Sequence, residues 1–178
     1  PYTDAARAHV EKIKHWETVL NEQYNPVGVT VNKCTLTEKG AEFEFLKGVT
    51  LEDVLDEYLD KDDLTGFIEE IRNYENKLEQ LINQGANNID LIFPNIILID
   101  GKWHVIDYEW TFEAEVPLKF ILHRAIILYF EQRKHLSLRC EDVYRMLGIT
   151  EAEAEQFLEM EHQLQLHLLG NTKTMAAL

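Results

Sequence analysis

The chain has 178 residues, enough for one compact domain and short for two full ones. Its formal charge is −15, from 17 Lys and Arg against 32 Asp and Glu, and no basic run interrupts it, which excludes nucleic acid as a partner. Apolar residues at 46% and charged residues at 28% exclude global disorder.

A helix is predicted over residues 3–22, where Ala6, Val10, Ile13, Trp16 and Leu20 recur on one stripe behind a Thr3-Asp4 cap. Asn25-Pro26 and Gly28 end it. Val27, Val29 and Val31, then Ala41, Phe43 and Phe45, alternate as the strands of a hairpin around a Thr37–Gly40 turn. Gly48 stops the second strand, and Thr50-Leu-Glu-Asp53 is a capping box for a helix to about Leu59. Asp62-Asp63 caps a longer helix carrying Phe67, Ile71, Tyr74 and Leu78, predicted to end at Gly85. Asp100-Gly101 between two apolar runs signals a second hairpin. Pro117 opens a helix. Two more follow, Cys140 to Leu147 and Thr150 to Leu169, separated by Gly148 and closed by Gly170-Asn171. The order reads helix, hairpin, two helices, hairpin, three helices. The fold class is α+β, mostly helical, and without an internal repeat or linker it reads as one folded unit.

Cys34 and Cys140 are the only cysteines and form no CxxC pair, so neither a disulfide framework nor a structural zinc is implied, and a reducing, cytoplasmic setting is the default. The longest apolar run, Leu91 to Ile99, is broken by Pro94-Asn95 and falls short of the ~18–20 residues that cross a bilayer. The segment from Pro1 does not resemble a secretory signal, so nothing in it points to export. It starts on Pro-Tyr rather than Met, which points to processing or excision from a longer protein.

The chemistry concentrates between Asn88 and Trp110. Asp90 and Asn95 stand on a loop leading into the second hairpin, and Asp107 ends that hairpin, so strand pairing returns Asp107 toward Asn95. An Asp that accepts a hydroxyl proton, with an Asn and an Asp offering oxygen to a hard cation, suits phosphoryl transfer. Taken singly, each reads as an Asx-turn residue; the joint spacing carries the signal.

The string Asp90-x-x-x-x-Asn95, followed by a hairpin and Ile106-Asp107-Tyr108-Glu109-Trp110, resembles the catalytic loop and metal-binding Asp of the protein-kinase-like superfamily. The aminoglycoside and choline phosphotransferase branch is most similar. Phe43 to Leu51 resembles the strand and hinge joining the two lobes in that branch. Glu109-Trp110 and Pro117 to Arg124 are also similar to kinase domains of bacterial polysaccharide-biosynthesis kinase–methyltransferases. The resemblance implies residues 1–47 as a remnant of the small lobe. It implies 48–178 as the large helical lobe, with a catalytic-loop hairpin at 88–110.

It further implies Asp90 as catalytic base, Asn95 and Asp107 as ligands of Mg²⁺ bridging the ATP phosphates, and the backbone of Phe45, Leu46 and Lys47 as the adenine contact. The acceptor would be a small-molecule or glycan hydroxyl. Asn88 stands where the family has His, with an amide that can support the loop. Glu11, with Glu17 as fallback, would pair with a strand Lys. That Lys and a GxGxxG phosphate loop are missing from the sequence. The expectation is therefore the carboxyl-terminal part of a larger protein, fused to further domains and binding ATP poorly in isolation, or a non-catalytic pseudokinase module.

The remaining signals have bland readings. Glu159-x-x-His162 lacks the companion ligands of a di-iron site, so His162 is read as a surface group. Arg124 interrupts an apolar helix and needs a partner, expected in Glu109 or Glu113. Trp103 is read as core. The glutamates from Glu151 to Glu161 are read as a solvated face, with a cationic acceptor as the alternative.

Overall fold

A computed structural model of the protein describes residues 3–38 and 40–169; the expected stop at Gly170-Asn171 lies outside them. The fold is α+β. The chain packs as two compact units that divide between Ile121 and Leu122.

In the first unit, helix α1 (Asp4–Tyr24) starts on Thr3, whose hydroxyl accepts from the Ala6 N–H. Its apolar stripe buries Ile13, Trp16, Leu20 and Tyr24. Strand β1 (Val29–Val31) does not pair with its neighbour in sequence. It runs parallel to β7 (Lys102–Val105), with Val29 opposite Trp103. The first hairpin instead joins β2 (Cys34–Thr37) to β3 (Gly40–Phe43), so the turn lies where expected and the first strand does not. Asn32 causes the switch. Its N–H donates to the Val105 carbonyl and its amide nitrogen to the Glu44 carbonyl, fastening the junction between the two sheets.

Strand β4 (Val49–Thr50) pairs antiparallel with β6 (Ile96–Ile99) and leads directly into α2 (Leu51–Asp60) through the Thr50/Asp53 capping box. Helix α3 (Leu64–Leu81) is capped by Asp63 and buries Phe67, Ile71, Tyr74, Leu78 and Leu81. It ends four residues before Gly85. Gln23, from α1, donates to the Leu81 carbonyl and exchanges hydrogen bonds with Ala86, so a distant side chain supplies the stop.

Strand β5 (Asn87–Asn88) precedes the second hairpin, β6 (Ile96–Ile99) and β7 (Lys102–Val105). Asp100 and Gly101 both have left-handed φ, 50° and 72°, as a two-residue turn with the twist of its strands requires. The sheet order is β1-β7-β6-β4, and β8 (Thr111–Phe112) pairs with β5 in a separate ribbon.

Helix α4 (Leu118–Glu131) begins after Pro117 and carries the chain into the second unit. There it is followed by α5 (Cys140–Leu147) and α6 (Glu151–Leu169), with Gly148 left-handed between them. Leu122, Ala125, Ile126, Val143, Ile149 and Phe157 are buried. Arg124 pairs with Glu161, at 2.6 Å. Phe157, one turn earlier on the same helical face, is buried and carries Glu161 inward with it. Glu161 therefore leaves the expected solvated face. His162 stays on the surface, and Trp103 is core.

Candidate functional site

The loop bearing Asp90 has little regular structure, and amide side chains hold it. Asn87 accepts from the Asn83 N–H at 2.6 Å and donates to the Ala114 carbonyl at 2.7 Å. The Asn83 amide exchanges two hydrogen bonds with the Val116 backbone, both 3.2 Å. The β5–β8 ribbon and an Ile89 N–H bond to the Trp110 carbonyl complete the clasp. Chain before Asp90 is thereby fixed to chain after Asp107.

Asn88 is fully buried, and its side-chain oxygen accepts from the Asp90 N–H at 2.9 Å. The loop support expected of this amide is present, as an Asx turn. Its Nδ2 is buried without a partner. Asp90 is itself buried, and its carbonyl accepts from Asn95 Nδ2 at 3.1 Å. The Tyr74 hydroxyl donates to the next carbonyl, that of Leu91, at 2.5 Å. Asn95 in turn accepts from the Ile106 N–H at 2.9 Å, so the hairpin does return the residue before Asp107 to Asn95.

Asp107 has φ 55°, a left-handed conformation that L residues other than Asn, Asp and Gly rarely adopt. Such outliers collect at functional sites. Its carboxyl lies above the ordinary carboxylate range although solvent reaches the residue: partial desolvation leads, followed by the charges of Asp90 and Glu109. Glu109 also meets His9 Nε2 at 3.2 Å.

These residues fit a hard divalent cation. The Asn95 amide directs its nitrogen to Asp90 and leaves Oδ1 as an oxygen donor; Asp107 supplies a carboxylate whose crowding a cation would relieve. Among the described residues, no cluster of three or more His, Cys, Asp and Glu could hold a metal. Mg²⁺ needs only one or two carboxylates when phosphate oxygens and water fill its other positions.

Phe45, Leu46 and Lys47 follow β3 in irregular chain, with Phe45 89% exposed. Residues 45–47 belong to no helix or strand. Gly48 is required behind them: a Cβ there would stand 2.4 Å from the Leu98 carbonyl oxygen. Glu11 is exposed on α1. Glu17 is the buried carboxylate, ion-paired with Lys14 and accepting from the Cys34 N–H at 3.2 Å. With Cys34, its charge also bears on Tyr108, beside Asp107. Of the two α1 carboxylates, Glu17 is buried and Glu11 is exposed.

Sequence reasoning missed Asn83, Asn87 and Tyr74. The polar run Asn83-Gln-Gly-Ala-Asn-Asn88 marked a loop without revealing a clasp to residues 114–116. Among the described residues, no helix is long and apolar enough to cross a membrane. No protein-family model matches the chain, and no curated protein matches its sequence.

Proposed function

We propose that the loop and hairpin from Asn88 to Trp110 form the phosphoryl-transfer centre of a kinase-like phosphotransferase similar to the aminoglycoside and choline branch, using ATP and Mg²⁺ on a small-molecule or glycan hydroxyl. The observation that carries this reading is the convergence of Asp90, Asn95 and Asp107 through the Asn95–Asp90 and Ile106–Asn95 hydrogen bonds. Asp90, with its backbone held on both sides, accepts the proton of the acceptor hydroxyl at its carboxylate. Asn95 Oδ1 and the Asp107 carboxylate hold the cation, which when bound neutralises charge on the nucleotide phosphates. The backbone of Phe45 to Lys47 receives the adenine edge, with the exposed Phe45 ring available to cover it.

A second reading, a non-catalytic interaction module, draws on the exposed apolar residues Leu36, Phe43, Phe45 and Val49. Mn²⁺, as a paramagnetic stand-in for Mg²⁺, separates the two. In the phosphotransferase, Mn²⁺ with ADP broadens the amide NMR signals of Asn95, Ile106 and Asp107, and Asp107→Ala abolishes the broadening while the fold persists. Because the isolated chain is expected to bind nucleotide poorly, the titration runs to several millimolar Mn²⁺ and ADP; no broadening there, in the folded wild-type chain, favours the interaction module.

A further inference from the structure

A cleft of about 590 Å³ opens within the second unit. Ile127 of α4, Tyr144 of α5, Ile149 from the turn after it, and Ala154 and Leu158 of α6 give it an apolar wall. Tyr144 and Ile149 are buried, while Leu158 is 54% exposed and keeps a large apolar side chain within reach of solvent. The volume falls in the range of small-molecule sites, which combine such walls with a few placed polar or charged groups. None of the residues assigned to phosphoryl transfer lines it.

The uncharged hydroxyls of the lining are already engaged. The Tyr144 hydroxyl shares a 2.8 Å hydrogen bond with His123 Nδ1, and the Thr150 hydroxyl bonds both the carboxylate and the N–H of Glu153. Burial pushes the Cys140 thiol up to about 11, so it carries no charge at neutral pH. The charged lining is exposed and unbalanced. It consists of Glu141, Glu151 and Glu155 against Arg145, whose guanidinium already meets Asp142 at 3.3 Å. Carboxylates of one sign beside a low-dielectric wall focus a negative potential in the cleft.

We propose that this cleft binds a small organic cation, an ammonium on an aromatic or alkyl body, with the body against Ile127, Ile149 and Leu158 and the charge among Glu141, Glu151 and Glu155. The body removes the apolar wall from water, and the ammonium stays at solvent-exposed carboxylates, so no ion has to be buried. A neutral ligand of the same shape gains only the first of these. An anion gains the first and meets the carboxylates as like charges.

The test titrates the full 178-residue chain, at low salt and neutral pH, with 4-phenylbutylamine, 4-phenylbutanol and 4-phenylbutanoate, one body with a cationic, a neutral or an anionic head. Methyl NMR signals report where each binds. The amine should bind saturably and shift the methyls of Ile127, Ile149 and Leu158. It should bind roughly fivefold more tightly than the alcohol, the scale of a few exposed charge contacts, and the carboxylate should bind most weakly. Glu141→Gln, Glu151→Gln and Glu155→Gln together should equalise amine and alcohol, and because all three are exposed the fold should survive. The same change of net charge made in the first unit, at the exposed Glu42, Glu69 and Glu79, should leave the preference in place. Equal affinities in the wild type, a preference that survives the first triple variant or is lost in the second, or shifts confined to other methyls would each overturn the proposal. So would no saturation at millimolar amine, which would leave the cleft to a macromolecular partner.

Discussion

Between Asn83 and Val116 the chain is held by amide side chains reaching backbone groups, and three residues other than glycine, Asn83, Asp100 and Asp107, take left-handed φ. In the second unit the helices satisfy most of their own backbone, and buried polar tension gathers at two adjacent residues of α4, Arg124 and His123. Irregular chain has to be fixed bond by bond, so each bond carries little and many must hold together. A helical unit leaves few polar groups inside, and each of those carries more. The first arrangement suits a site whose geometry must be exact to fractions of an ångström. The second makes stability depend on single side chains.

The largest effect should therefore follow from Arg124. Replacing it alone, as Arg124→Met, leaves Glu161 as a mostly buried carboxylate without its 2.6 Å partner, and should cost about 3–5 kcal/mol in urea unfolding. Arg124→Met with Glu161→Leu should recover most of that loss, because an apolar pair has no ion to desolvate. A single-variant cost below about 1 kcal/mol would put the pair in the solvated class and remove the contrast.

A smaller effect is expected at Tyr74. Tyr74→Phe keeps the ring, stacked on Trp103 at 5.7 Å and edge-on to Phe93 at 4.9 Å, and deletes only the hydroxyl that holds the Leu91 carbonyl. One buried carbonyl left unsatisfied costs about 1–3 kcal/mol. If the loop around Asp90 is held by many small bonds, hydrogen exchange of Asp90 and Asn95 should speed up with little change elsewhere. Uniform acceleration across the unit would mean that Tyr74 supports the core rather than the loop.

The sequence made local rules legible and long-range ones opaque. Thr3, Thr50 and Asp63 start their helices as their types demand, and Asp100-Gly101 turns its hairpin, because capping and turn chemistry act over three or four residues. The spacing of Asp90, Asn95 and Asp107 was readable for the same reason: one hairpin connects them. The parallel pairing of Val29 with Trp103, the stop that Gln23 gives α3, and the Arg124–Glu161 pair each join residues more than thirty positions apart. No local pattern encodes those choices. That Glu17 is buried while Glu11 is exposed likewise became visible only once α1 lay against β2.

The smallest effect is the most discriminating, because it reads His123 and Arg124 together. Burial lowers the folded-state pKa of His123 below its usual value near 6.5, so between the two pKa values the unfolded chain binds the extra proton. Stability should then be full above about pH 6.5 and fall as pH drops toward the folded-state pKa, a slope that His123→Phe removes. The opposing influence is Glu161, whose charge favours the protonated ring and is largely engaged by Arg124. Arg124→Met should release that charge onto His123, raise its pKa and flatten the slope, even as total stability falls. A slope unchanged by Arg124→Met would mean that the ion pair and the histidine respond to separate environments, and that α4 carries two independent polar sites rather than one coupled pair.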